Sequence, residues 1–270
     1  MRRILEHLKK HPCIVELMDT LHCGARVVQV EGVRSSGWGV CAATLADISN
    51  RTSVLIAPSR EHAERIYEDI RLYWSPAGAT PDSHPRLYRF PVQTEAFIGY
   101  GGEGVTARER IAALLAIHQR SDAVIVTSIE AIARPTVSPD AFEHCCFDLR
   151  CGDVIPIDAL TGRLIAGGYE TSTEVQLPGE FSRRGGIVDV FSPSCDLPVR
   201  IEFFGDEIES MRLFDPATQR SVETIERCTI TPAREFIIPS DHKRLVEAVH
   251  TALANQADQL RANGKVEAAR

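Results

Sequence analysis

The 270 residues hold no apolar run approaching the roughly 20 that a membrane-crossing helix requires. The longest, such as AVIVTSI at 123–129, fall far short, which excludes a transmembrane helix. The amino terminus, MRRILEHLKKHPCIVEL, carries charges at helical spacing and lacks the unbroken apolar stretch and small-residue cleavage site of a secretory signal. A cytoplasmic location, with no membrane partner, is the expectation. A disulfide framework is missing as well: the eight cysteines, at 13, 23, 41, 145, 146, 151, 195 and 228, form no C-x-x-C pair and no dense regular spacing, so reduced thiols are expected. Cys145, Cys146 and Cys151 beside His144 come nearest to a metal site. Neighbouring residues on a strand point to opposite faces and cannot easily share one ion, so no metal or other cofactor is expected. Fixed-period repeats and low-complexity tracts are missing too, and 44% hydrophobic with 25% charged residues excludes a disordered chain.

What is present is an uneven charge. The net −7 argues against binding nucleic acid by bulk electrostatics. Residues 1–133 balance 15 basic against 15 acidic side chains, residues 134–232 hold 9 against 17, and residues 233–270 hold 6 against 5. The excess negative charge therefore belongs to the middle of the chain.

Hydrophobic periodicity divides the chain in the same way. The first third alternates helix and strand signals: a helix over 3–22, a buried strand ARVVQV (25–30), a glycine-bearing loop EGVRSSGWG (31–39) and a small-residue helix from Val40. The strand SVLIAP (53–58) follows, then a helix from Arg60 capped by Ser59, the strand RLYRF, a helix opened by the capping box Thr106 to Glu109, and the strand AVIVTSI. Unbroken apolar strands suit a parallel sheet covered on both faces. From Tyr169 the period changes to two, with GIVDVF (186–191), VRIEFF (199–204) and ESMRLF (209–214) as an antiparallel meander whose Arg200, Glu202, Glu209 and Arg212 alternate with apolar residues. Beyond Pro239 the helical period returns, capped by Ser240, and the helix stops at Ala-Ala-Arg as though cut. The expected fold is an α/β parallel-sheet domain interrupted by a mostly antiparallel α+β insert: 1–133 for the first part, 134–232 for the insert, 233–270 for a return helix.

One loop points to lost chemistry. GVRSSGWG keeps the G-x-x-x-x-G half of a phosphate-binding loop in Gly32 and Gly37, between a strand and a helix. Such a loop works through backbone N–H groups, a lysine on the β/γ oxygens and a Ser/Thr hydroxyl on Mg²⁺. Trp38 and Gly39 occupy those last two places and supply neither, so no nucleotide chemistry is expected here.

The run PGEFSRRGGIVDVFSPSCDLPVRIEFFGDEIESMRLFDPATQRS (178–221) resembles the UvrB-like amino-terminal module of bacterial transcription-repair coupling factors. LIAPSREHAERIYEDIRLY (55–73), AVIVTSIEAI (123–132) and TPAREFIIP (231–239) agree in order, so the resemblance covers nearly the whole chain. It implies a degenerate RecA/helicase-like domain that has lost its ATPase residues, and an inserted domain that binds UvrA. UvrB itself probes damage with a tyrosine-rich hairpin, for which FPVQTEAFIGYGGEG is too short and too poor in tyrosine. The resemblance also implies that full-length members contact RNA polymerase and DNA through regions absent from these residues. This chain by itself is then not an enzyme but a docking module. The alternatives are a nucleotide-dependent protein of the UvrB or helicase type, and an insert that autoinhibits a motor domain.

For the partner contact the residues offer Arg183 and Arg184, before Gly185-Gly186 in an acidic segment, with Phe181 as an apolar anchor and Glu180 beside it. Arginine forks suit carboxylates on a partner. The competing reading pairs both arginines with nearby Glu180 or Glu202 as a solvated cluster and places Phe181 in the core. The resemblance favours Arg184, because the family's UvrA contact uses an arginine directly before this glycine. It also implies a second arginine after a Gly-Tyr pair, where Gly168-Tyr169 is here followed by Glu170 and Thr171. Asp206, Glu207 and Glu209 read as solvated turn residues, Ser128 and His144 lack triad partners, and Tyr67, Tyr73 and Trp74 share a helix at core spacing.

Overall fold

The computed structural model describes residues 2–49, 51–74, 86–93, 105–119, 122–235, 246–247, 250–251 and 253–258. They form two compact units, Met1–Glu143 with Pro193–Asp196, and His144–Ser192 with Leu197–Arg270.

The first unit contains α1 (Arg2–Leu8), α2 (Pro12–His22), α3 (Ser35–Ser49), β1 (Ser53–Ala57), α4 (Arg60–Trp74), β2 (Leu87–Phe90), α5 (Val105–His118), β3 (Val124–Ser128) and α6 (Ile129–Ile132). A further helix, α7 (Pro139–Cys145), follows. The three strands form a parallel sheet in the order β1-β3-β2, with Leu55 opposite Val126 and Leu87 opposite Val124. All five residues of the central β3 are buried, as a strand covered on both faces requires. On one face Val124 and Val126 pack with Leu5, Ala43, Ala46, Ile70 and Trp74, from α1, α3 and α4. On the other, Ile125 and Phe90 pack with Ala113 of α5 and Ala131 of α6.

Helix α4 has the bounds its pattern predicts, with the Ser59 hydroxyl accepting the His62 N–H at 3.4 Å. Three local expectations fail for identifiable reasons. The helix expected over 3–22 is broken at Pro12, which lacks an N–H and disfavours helical geometry in the residue before it. The His11 ring then caps α2 by accepting the Cys13 N–H at 3.4 Å. The run at 25–30 joins no sheet, and Val27 is 88% exposed: a β-prone sequence becomes a strand only where a neighbour pairs with it. The helix expected from Val40 begins at Ser35, so Gly37, Trp38 and Gly39 are helical rather than loop. Helix α5 likewise starts at Val105, one residue before the predicted cap.

The second unit contains β4 (Phe147–Arg150), α8 (Ile157–Ala166), β5 (Glu170–Thr171), β6 (Glu180–Arg184), β7 (Ile187–Val190), β8 (Val199–Phe204), β9 (Glu207–Phe214), β10 (Ser221–Ile225) and β11 (Arg227–Ile230). Six strands form one sheet in the order β10-β9-β8-β7-β6-β5, antiparallel except for the parallel β5–β6 pair at its edge. Strands β4 and β11 pair separately. Val188, Ile201 and Met211 from one face of the large sheet pack with Leu160 and Leu164 of α8 and with Leu149 and Ile230 of the small sheet. On β8, buried Val199 and Ile201 alternate with partly exposed Arg200 and Glu202, so the other face carries the charge, as alternation predicts. The chain is thus α/β, with a small parallel sheet and antiparallel sheets. The described residues between 246 and 258 are helical, whereas Ser240 and the segment 94–104 lie outside the described residues.

Candidate partner-docking site

The β6–β7 hairpin turns at Gly185, whose φ of +59° is a backbone state that glycine adopts without cost, and Gly186 lies against the neighbouring strand. The Phe203 N–H donates to the Gly186 carbonyl at 2.8 Å, and a Cβ on Gly186 would stand 3.2 Å from the Phe203 carbonyl oxygen. This pairing brings the β6–β7 turn alongside the β8–β9 turn at one end of the sheet. Arg183 and Arg184 end β6 there, both exposed.

The four residues expected at the contact take different roles. Arg184 is half-exposed and donates from Nη2 to the Asp189 carboxylate at 2.8 Å. Arg183 pairs with Asp158, in the first turn of α8. Neither arginine pairs with Glu180 or Glu202. Glu180 accepts the Gln176 and Leu177 N–H groups, each at 2.8 Å, and so closes the turn before β6. Phe181 is 3% exposed and belongs to the core, which corrects its assignment as an apolar anchor. Its position in β6 explains this: Phe181 lies on the face of Val188 and Val190, which packs into the core of the second unit, whereas Ser182 and Arg184 lie on the opposite face with Asp189.

Two features of this sheet end were missed by sequence reasoning. Phe204, last in β8, is 78% exposed. Val154 is 75% exposed and bridges Glu207, while the Ile155 N–H donates to the Asp206 carbonyl at 2.8 Å. The Phe-Phe pair at 203–204 was the available signal, since two adjacent strand residues cannot both face the core unless the strand bulges. Alternation continues along β8 from Val199 and Ile201, so Phe203 packs inward and Phe204 is left outside, while the register shift beside them is taken up in β9, where Glu209 is skipped. The other omission is Asp189, 1% exposed, which accepts from Arg200 Nε at 2.7 Å and Nη2 at 2.9 Å as well as from Arg184. Those hydrogen bonds raise the Arg200 pKa further above its ordinary value. Just after Gly168-Tyr169, where the resemblance implied an arginine that this sequence lacks, Glu170 pairs with the guanidinium of Arg234.

The residues aligned with a phosphate-binding loop sit elsewhere. Gly32 is exposed with φ +80°, and Trp38 is 50% exposed on α3. Gly39 is buried against α4, where an added Cβ would lie 2.2 Å from the Cβ of Asp69. Other candidates have plain structural duties: the Ser128 hydroxyl caps α6 by accepting the Ala131 N–H at 3.3 Å. Tyr67 carries the Arg89 guanidinium over its ring at 3.8 Å. Among the described residues no group of three His, Cys, Asp or Glu side chains is placed to hold a metal ion, and no helix is long and apolar enough to cross a membrane.

The thiols differ in burial. Burial pushes Cys146 up to about 11, with Asp148 and Cys145 adding to the effect, whereas Cys13 and Cys23 are exposed. At pH 8 only about one Cys146 in a thousand is thiolate. A maleimide pulse followed by peptide mass spectrometry is expected to label Cys13 and Cys23 first and to leave Cys146 unmodified. Early labelling at Cys146 contradicts this.

Comparison with known proteins bears on the second unit directly. Residues 147–236 match the UvrB interaction domain family. The stretch begins at β4 and ends just after β11, so it encloses the six-stranded sheet and Arg184. The chain as a whole is 30% identical over 243 residues to the transcription-repair-coupling factor of Myxococcus xanthus, covering 89% of this chain and 20% of that protein. It is 28% identical over 268 residues to the transcription-repair-coupling factor of Bacillus subtilis, covering 99% of this chain and 22% of the relative. To the UvrABC system protein B of Kosmotoga olearia it is 30% identical over 265 residues, covering 93% and 39% respectively. The chain therefore spans a fifth to two fifths of the length of these relatives.

Proposed function

We propose that this chain is a non-catalytic docking module of transcription-coupled nucleotide excision repair, and that the segment matching the UvrB interaction domain recruits UvrA through Arg184. The observation that carries the reading is the coincidence of that match with an arginine held half-exposed at a hairpin end. The first unit is assigned as a degenerate RecA-like domain, continuous with the UvrB-like body of the relatives, with 134–232 as its insert and 233–270 as its return. Contacts with RNA polymerase and DNA are assigned to other parts of such factors, and occupation of the same arginine face by a motor segment would be autoinhibitory.

The test is a binding titration with UvrA. Arg184→Ala is expected to weaken binding about ten- to thirtyfold, which corresponds to roughly 1.4–2 kcal/mol. Wild-type protein that does not bind UvrA, or an Arg184→Ala protein that binds as well as wild type, defeats the proposal. The similar identity to UvrABC system protein B favours a second reading, nucleotide-dependent DNA handling. Steady ATP hydrolysis by the isolated chain would establish that reading in place of the first.

A further inference from the structure

Asp189 is a carboxylate buried to 1% exposure between two arginines. Arg200 meets it side-on, Nε to Oδ1 at 2.7 Å and Nη2 to Oδ2 at 2.9 Å, and Arg184 adds a third bond from Nη2 to Oδ2 at 2.8 Å. Arg200 is itself fixed on its other sides: its guanidinium lies over the Phe214 ring at 4.6 Å, and its Nη1 and Nη2 stand 3.5 Å from the Gln219 carbonyl and Oε1. Gln219 is anchored in turn by donating to the Val175 and Pro216 carbonyls at 3.2 and 2.8 Å. The register makes this a row across one face of the sheet, with Ser182 opposite Asp189 and Asp189 opposite Arg200.

The stoichiometry of that row matters. Arg200 alone satisfies the geometry and neutralises the charge of Asp189, since a bidentate guanidinium–carboxylate pair is a complete match. Arg184 is then a second cation on a carboxylate that already has one. The cluster keeps one net positive charge, and it resides on the half-exposed guanidinium. Asp189 takes one of the five N–H donors of Arg184 and thereby tethers its guanidinium at this end of the sheet, leaving the rest of the fork for another acceptor. A long side chain immobilised before binding does not lose that freedom on binding.

We propose that Asp189, held by Arg200, is a positioning residue that presents the Arg184 fork to a carboxylate of the partner protein. The proposal rests on the reading of Arg184 as a UvrA contact, and it adds the residue that orients the Arg184 fork toward such a carboxylate. The side chain that docks is an Asp or Glu, because the vacant donors form a planar fork carrying one uncompensated charge.

A double-mutant cycle tests it on the full chain, with UvrA as ligand and circular dichroism melting as the check on folding. Asp189→Asn keeps the shape and loses the charge. It is expected to weaken binding about five- to tenfold when Arg184 is present, the scale of one immobilised side chain, and to change nothing further in the Arg184→Ala protein. Should Asp189→Asn fail to fold because Arg200 is left with an unpaired charge, Asp189→Asn with Arg200→Gln removes the stranded charge and carries the same expectation. A folded variant that binds UvrA like wild type overturns the proposal, and so does an equal loss in both Arg184 backgrounds, which is what a merely structural role would give. Arg184→Ala binding as tightly as wild type is a separate outcome that removes the docking reading and this inference together.

Discussion

Replacing Gly39 with threonine, the residue type a phosphate-binding loop needs at that place, is expected to destabilise the α/β unit by about 3 kcal/mol or more instead of restoring a metal ligand. A Cβ at position 39 would lie 2.2 Å from the Cβ of Asp69 and 2.7 Å from its Oδ2. Carbon atoms pack at roughly 3.5–4.0 Å, so α3 and α4 would have to separate by more than about 1 Å. The obstacle is the first carbon of α4's side chain, attached to backbone and unable to rotate away. Overpacking of this kind typically costs about 1–3 kcal/mol, and the threonine methyl and hydroxyl add to it. Gly39→Ala isolates the Cβ alone, and its gain of about 1 kcal/mol in helix propensity offsets only part of the strain. By contrast, Trp38→Lys changes a half-exposed side chain and is expected to leave stability within about 0.5 kcal/mol. Urea denaturation of the three proteins reads these differences directly. A Gly39→Thr chain as stable as wild type would show that α3 and α4 are not locked together here. Hydrolysis of ATP by the Trp38→Lys, Gly39→Thr double variant would show that the loop was only two side chains from activity.

What could be read from the sequence follows the physical source of each signal. Helix α4 and strand β3 were legible because one apolar stripe at period 3.6, and one unbroken apolar run, each have a single way to be buried. The meander β7 to β9 was legible from alternation, and the resemblance of 178–221 pointed to the same segment that matches the UvrB interaction domain. The strand at 25–30 was misread because its residues have β propensity but its neighbours decide pairing, and Val27 stands exposed. Phe181 was misread because adjacency to two arginines looked like a surface, whereas the strand period turns residue 181 away from residue 184. Asp189 could not be singled out at all: GIVDVF places an acid among apolar residues, and only the fold shows that Arg184 and Arg200, 5 before and 11 after it, close on one carboxylate.

Phe181 and Phe204 provide a test that separates core packing from the proposed contact. Phe181→Ala empties a site that is 3% exposed and surrounded by the buried residues of the second unit, and the expected loss is about 3–5 kcal/mol. That is a large part of the stability of an ordinary domain, about 5–15 kcal/mol, so the unit is expected to melt many degrees lower. Its UvrA binding should fall only as the folded fraction falls and return on cooling or in a stabilising osmolyte. Phe204→Ala removes a ring that is 78% exposed, so melting should be unchanged while UvrA binding weakens about tenfold or more, as for an aromatic anchor. The two residues thus give opposite signatures in the same pair of measurements. A Phe181→Ala protein with normal melting and lost binding would return the anchor role to Phe181. A Phe204→Ala protein with normal melting and normal binding would confine the contact to the arginine end of β6, because the β8–β9 turn would then contribute exposed apolar surface without contributing affinity.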